Sequence, residues 1–366
     1  MKRLILGICL STSLATFAAI DDGATVNDRL NALEEQNFKL AASQGGNIFK
    51  MYGDYLYWRS YARGLCYATT YQTTTNGFGT NFKFIDFNQS YNSGFRVGAE
   101  YETPFDQWTI DGLWTRFSQN ASNSAASGSG KSLMANWDLS GKLTASTANA
   151  TMFERLELVD ATIGKNLIWS TPFTLKYEIG GRGAWLDEHM RADYTGTYKA
   201  SSTSPTYGMQ TQTYITNAFS GIGFLNGLSA AWNLGCGFSI YGGGNFSLLW
   251  GKFVVNANQT TTIQSPIVDH DSINYQSKFD AIKTNLDGSI GLKWAWKVFH
   301  KDLRITLKAG YEFSYWPNQV LVSRAITFPT IPSTQPLGQI GGSMTLVQEQ
   351  GDVSFQGYVF GLMLDF

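Results

Sequence analysis

Charged side chains recur at every second position in several stretches of this chain, and that spacing is the feature most able to do chemistry. One face of successive alternating segments carries Arg96 and Glu100, then Asp111, then Asp160, then Lys176, Glu178 and Arg182. Further along come Lys283, Asp287 and Lys293, followed by Arg304, Lys308 and Glu312. Seven of these are cationic and six anionic. Alternate residues of a strand share a face. Each charged set therefore points one way while its apolar neighbours point the other. An ionised group facing lipid at mid-depth costs roughly 2–4 kcal/mol, so beside a greasy outer face these groups must turn toward water or toward each other. A ring of them selects ions in a water-filled pore. The same residues, paired off, close a lumen.

Other chemistry finds little support. The three histidines, His189, His270 and His300, lack the spacing of metal ligands. Asp187, Glu188 and His189 are adjacent and read as the solvated start of a loop at a strand's outer end. Gly242-Gly243-Gly244 lies inside a strand pattern and does not precede a helix, so it is no phosphate loop. It reads as a tight curve or close packing in a sheet wall. The sequence points to no catalytic residue, metal or cofactor, and the protein is expected not to be an enzyme.

The elements that must position the charges are strands. Phe49 to Arg59 crowds aromatics on both faces. Gly94 to Tyr101 sets Phe95, Val97, Ala99 and Tyr101 against Arg96, Gly98 and Glu100. Gln107 to Phe117, Leu156 to Trp169, Phe173 to Trp185, Ile222 to Leu234 and Phe238 to Trp250 follow. Lys283 to Lys297 and Leu303 to Tyr315 alternate most cleanly, each with one apolar face and one charged, Gly-dotted face. The chain ends on Gly357 to Phe366, where Tyr358, Phe360, Leu362, Leu364 and Phe366 share a face. About ten alternating residues cross a bilayer as a tilted strand. A terminal Phe after alternating apolar residues resembles the assembly signal of bacterial outer-membrane barrels.

Short connections (102–106, 170–172, 235–236, 298–301) alternate with long ones (60–93, 118–153, 187–218, 252–280, 317–352). That alternation marks an outer-membrane barrel with short periplasmic turns and long outer loops. The fold expected is all-β: a transmembrane antiparallel β-barrel of about ten strands over residues 48–366, with twelve to sixteen allowed if the loops hide hairpins. Both termini are then periplasmic, and the last strand closes antiparallel against the first. The 118–153 loop is a candidate to fold into the mouth. Cys66 falls in the first outer loop and Cys236 in a periplasmic turn, so the two should not bridge each other.

Lys2 and Arg3, the apolar run from Leu4 to Leu14 and small residues to Ala19 read as a signal peptide over 1–19. Residues 20–47 contain a helical, heptad-spaced segment: Val26, Leu30, Leu33, Asn37 and Leu40 are oligomerisation candidates. A formal net charge of −1 in 366 residues gives no attraction to nucleic acid. Charged residues at 15% and aromatics at 14% suit a wall that meets lipid rather than water.

Asp54-Tyr55-Leu56-Tyr57-Trp58, followed by Gly64-Leu65-Cys66-Tyr67-Ala68, resembles an N-terminal motif of the major outer membrane proteins of Legionella and chlamydia-like bacteria. Gly94-Phe95-Arg96-Val97-Gly98, the Trp108 strand, Gly181-Arg182-Gly183-Ala184-Trp185 and the Gly357-to-Phe366 end are similar to later blocks of that family. The resemblance implies a surface-exposed, porin-like outer-membrane barrel without catalytic residues. Disulfide-linked assembly, a further property of the family, would draw on Cys66 and Cys236. Function is expected to be passive passage of ions and small hydrophilic solutes, the alternative being a structural barrel or adhesin with little conductance. Expected partners are outer-membrane lipid, the barrel assembly machinery, other copies of the chain and host surface molecules.

Overall fold

The alternating stretches become strands that share one closed sheet. The structure, a computed structural model, describes residues 48–366 except 74–78, 104–107, 129, 141–142, 171, 200–204, 265–268, 299–302 and 330–341. The signal peptide and the Val26–Leu40 segment lie outside the described residues. Thirteen strands run β1 (Ile48–Ala62), β2 (Ala68–Thr73), β3 (Gly79–Ile85), β4 (Asn92–Glu102), β5 (Trp108–Ala126), β6 (Ser132–Ala135), β7 (Thr144–Ser170), β8 (Phe173–Tyr198), β9 (Tyr207–Gly235), β10 (Phe238–Gln264), β11 (Asp269–Lys297), β12 (Arg304–Pro329) and β13 (Gly342–Asp365). Among the described residues there is no helix.

Ten strands form the ring β1-β4-β5-β7-β8-β9-β10-β11-β12-β13, and β13 returns to β1. Strands β2, β3 and β6 are the hidden short elements of the first two long connections. They pair among themselves, and a single β6 residue, Leu133, joins β7. They do not enlarge the ring, so the expected count of ten stands.

The near end of the barrel carries both Ile48 and Phe366. An exposed apolar band starts there. Trp108, Trp232, Phe238, Trp294 and Phe366 face outward at its near edge, and Trp114, Trp185 and Trp250 at its far edge. Phe238 and Trp250 are twelve residue steps apart on β10. At about 3.3 Å per step and a tilt near 40°, that is roughly 30 Å, the thickness of a bilayer's hydrocarbon. The membrane-spanning segments are thus the near-end parts of the strands, for instance Phe173 to Trp185 of β8 and the facing part of β7 from Glu157 onward.

Beyond the band the strands continue where the sequence pattern suggests loops. Residues 187–198 and 207–218 pair in β8 and β9, 252–264 and 269–280 in β10 and β11, and much of 317–352 in β12 and β13. The Ser/Asn-rich start of the 118–153 connection is strand through Ala126. The reason is physical. Above the membrane the outer face meets water, so the greasy half of the alternation disappears, while Thr-rich runs such as Thr211, Thr213 and Thr260 to Thr262 keep a β preference.

The seam closes as expected, with Lys50 opposite Asp365 and Tyr57 opposite Tyr358. The amide of Phe366 donates to Phe49 O at 2.9 Å. Tyr358, Phe360, Leu362 and Phe366 are exposed on the band, and Leu364 is half-buried there. Removing Leu364 to Phe366 deletes the last ladder pairs on both sides of β13. The expected outcome is loss of the heat-resistant, fast-migrating barrel form on cold SDS gels. A truncated chain that folds like the full one would sink the idea that these residues close the seam.

Candidate functional site: the barrel lumen

The charged residues singled out by spacing converge inside the ring. Arg96 on β4 reaches Glu312 on β12 at 2.9 Å. Along the wall these strands are separated by β1 and β13, about 14 Å at the usual strand spacing, so the pair spans the lumen. Arg96 also lies 3.3 Å from Asp54, which Lys308 approaches to 2.7 Å. Lower down, Lys50 binds Glu100 at 2.6 Å and Glu102 at 3.1 Å. Lys176 on β8 crosses to Glu100 and also holds Glu178. Glu100, Asp111 and Glu178 bring carboxylate oxygens within 4.8 Å of one another. The chain's own donors compensate this cluster: the two lysines, and Tyr52, whose hydroxyl donates to Asp111 at 2.7 Å.

Arg182 is the centre of a second network. Its guanidinium grips Asp160 through Nε and Nη2, both at 2.7 Å, and reaches Asp287 on β11 at 2.6 Å. Nη1 also donates to Asn285 Oδ1. A fork that satisfies a carboxylate with two parallel bonds is the strongest arrangement such a pair offers. Between the two networks lies a cavity of about 170 Å³, ringed by Arg96, Asp160, Glu178, Arg182, Asp287 and Glu312 among others. A polar space of that size is large enough to admit several waters.

Glycines let this lumen be narrow without being filled by side chains. Tyr241 lies along the inner wall over Gly291 and Gly310, where an added Cβ would sit 2.7 and 2.3 Å from its ring carbon and hydroxyl. Lys293 and Lys308 sit over the Tyr241 ring at 4.9 and 5.8 Å. Two residues from the spacing argument stand apart. Arg304 is exposed at the near rim, opposite Asp365 in the ladder. Lys283 lies toward the far end, over the Phe253 ring at 4.7 Å, and donates to Asn318 O.

Among the described residues, the far half of the lumen is filled by side chains, most of them apolar. The first two long connections fold into it. Tyr67, Trp137 and Leu139 are fully buried, and Tyr67, Phe87 and Trp137 pack ring to ring at 5.6–6.4 Å. Inward-facing residues of β8, β9 and β10 lock them. Tyr194 donates to Tyr67 O at 2.7 Å and Thr213 to Trp137 O at 3.1 Å. Gln259 accepts from the Leu139 amide and donates to Asp138 at 2.9 Å. Cys66 is buried there, accepting from Asn136 at 2.9 Å. Cys236 sits at the opposite end in the β9–β10 turn, with φ of 54°, so the two lie at opposite ends of the barrel.

A family model described as the Legionella pneumophila major outer membrane protein precursor matches residues 45–366. The chain belongs to that family. It is an outer-membrane protein, and its exposed apolar band is the surface that meets lipid. No curated protein matches the sequence. Among solved structures, the outer membrane protease OmpT from Escherichia coli is 10% identical, covering 88% of this chain and 97% of its own, with a TM-score of 0.36. A FadL homologue of Pseudomonas aeruginosa is 10% identical over 87% and 90% at 0.26, and the toluene transporter TodX of P. putida 8% over 89% and 91% at 0.25. Likenesses this remote say nothing about activity.

Within this family member, sequence spacing missed several inward residues. Asp54 and Lys50 were hidden because aromatics occupy both faces of β1. Asp187, Glu188 and His189 do not start a loop; they lie mid-strand and diverge. Asp187 pairs with Arg155 on the outside at 2.6 Å and His189 stacks near Phe153, while Glu188 is buried inside.

Proposed function

We propose that this protein is a narrow outer-membrane porin, passing ions and small hydrophilic solutes passively. The far end faces outward, both termini face the periplasm, and the chain carries out no catalysis. The observation that supports it is the layer of charged and polar side chains around the 170 Å³ cavity. A barrel serving only as a wall gains more from apolar filling there than from ion pairs, which barely offset their own desolvation. The path is gated at its outer end by the segments around Tyr67 and Trp137. Planar-bilayer recording of the purified protein tests this. The expected result is small steps whose size rises with salt concentration. Silent bilayers, with correctly folded protein inserted, would reject it.

The buried far-end packing favours a second reading, a surface barrel with little conductance that serves as an envelope scaffold or binds host surfaces. Assembly with other copies of the chain through Val26 to Leu40 is compatible with either.

A further inference from the structure

Among the described residues, one pair of facing acids in the lumen forms no ion pair. Glu154 on β7 and Glu188 on β8 stand directly opposite each other in the ladder, and Asn217 on β9 stands opposite Glu188. All three are at most 1% exposed. They lie beyond the Glu157–Trp185 pair that ends the membrane-spanning part of β7 and β8. Their inward neighbours on the same strands are apolar: Met152, Leu156, Leu186, Met190, Ile215 and Phe219. Among the described residues neither glutamate makes an ion pair, whereas Glu100, Glu312 and Asp160 of the lower lumen are held by lysine or arginine. Burial raises both carboxyls above their ordinary range, and the charge of Glu154 raises Glu188 further.

Uncompensated buried carboxylates are costly, and the amides around them are incompletely paired: Gln119, opposite Glu154 in the ladder, keeps a buried Nε2 without a partner. Asn217 spends its amide donor on Glu188 at 2.7 Å and on the carbonyl of Gln319 at 2.9 Å. Its Oδ1 is left buried with no partner. Both side-chain atoms of Gln319 and Oε1 of Glu188 are buried without a partner. Among the described residues, the only group that approaches the buried Glu154 carboxyl as a donor is the Ser60 hydroxyl, too far off line for a well-formed bond. The backbone is shaped to bring Gln319 there. At Trp316–Val320 the β12–β13 ladder shifts register, with Pro317 in the strand and Asn318 at φ 52°. Such bulges re-aim a side chain.

We propose that Glu154 and Glu188, with Asn217, Gln319 and Ser60, bind a calcium ion in the neck between the charged lumen and the outer gate. Six oxygens, two from Glu154 and one each from Glu188, Asn217, Gln319 and Ser60, belong to side chains that neighbour one another here. Glu154 faces Glu188 and Glu188 faces Asn217 in the ladder, Asn217 touches the Gln319 backbone, and Ser60 approaches Glu154. They match the count and the all-oxygen chemistry of a Ca²⁺ site, and two carboxylates match its charge. The ion ties β1, β7, β8, β9 and β12 together across the barrel.

The test uses the full chain, refolded in detergent without lipopolysaccharide and stripped with a chelator. Calorimetric titration with CaCl₂ is expected to show one ion per chain, and thermal unfolding is expected to shift upward in Ca²⁺ relative to chelator. Glu188→Gln should weaken binding on the order of tenfold or more, and Glu154→Gln/Glu188→Gln should abolish both binding and thermal shift. Glu157→Gln, on the outer face beside Arg116 at 3.5 Å, should change neither. Absence of Ca²⁺ binding by the wild type overturns the proposal, as does binding that survives the double substitution. A wild type indifferent to Ca²⁺ but stabilised as pH falls would also overturn it, since the two acids would then be sharing a proton instead. None of these readouts depends on conduction.

Discussion

Replacing Arg182 with Met is expected to destabilise the barrel by about 3–5 kcal/mol, the range for breaking a buried ion pair from one side. The argument rests on what is left behind. Arg182 is 3% exposed and Asp160 is 6%, so bulk salt screens the pair little. Without the guanidinium, Asp160 loses two charge-assisted bonds and Asp287 one. Asn285 loses a donor to its oxygen but keeps its contacts to Asp287 at 3.0 Å and Ser314 at 3.0 Å. The loss is therefore chiefly electrostatic. Adding Asp160→Asn and Asp287→Asn to Arg182→Met should recover most of it, because the charges that needed a partner are gone. Urea unfolding of the refolded protein, followed by tryptophan fluorescence, reads both changes. A single variant as stable as wild type would show that water in the adjoining cavity solvates Asp160 and Asp287 well enough to replace the guanidinium.

The legible part of this fold was the part in contact with lipid. In β11 and β12 the apolar face of Leu286 to Trp296 and of Ile305 to Tyr315 must meet hydrocarbon, so every second residue reports its direction. The near-end boundaries of the strands follow closely, because a short turn such as Gly235-Cys236-Gly237 must follow each span. The far halves carry no such signal. Water outside and an apolar core inside reverse the pattern: Leu186, Met190 and Ala192 point inward on β8, whereas Arg182 and Lys176 on the same face are charged. A face that is charged in the membrane and greasy above it reads as a strand followed by a loop. The same inversion concealed Glu188, which lies in the 187–218 segment read as a connection, and Glu154, which falls between the 118–153 connection and the strand read from Leu156. The cross-lumen partners were illegible for a different reason. Spacing fixes the face of a residue but not the strand it meets across the barrel, and Arg96 finding Glu312 depends on closure of the whole ring.

The second large effect concerns the gate. Replacing residues 132–140 with a short Gly/Ser linker removes Trp137 and Leu139 from the far lumen, together with the bonds to Thr213 and Gln259. An apolar constriction excludes water and therefore ions, whatever charges line the path beyond it. Two barriers in series give a conductance set by the narrower one. If the far-end packing dominates, the deletion raises single-channel conductance on the order of threefold or more, up to the limit set by the Arg182 and Arg96 networks. If those networks dominate, the deletion changes little by itself, and Arg182→Met with its two Asn substitutions becomes the variant that opens the path. The buried contacts favour the first outcome. Around the mid-depth cavity polar groups can hold water, whereas Tyr67, Trp137 and Leu139 are fully buried among aromatic and aliphatic side chains. Unchanged conductance in both the deletion and the combined variant would mean that the barrel does not conduct through its lumen, leaving the scaffold reading.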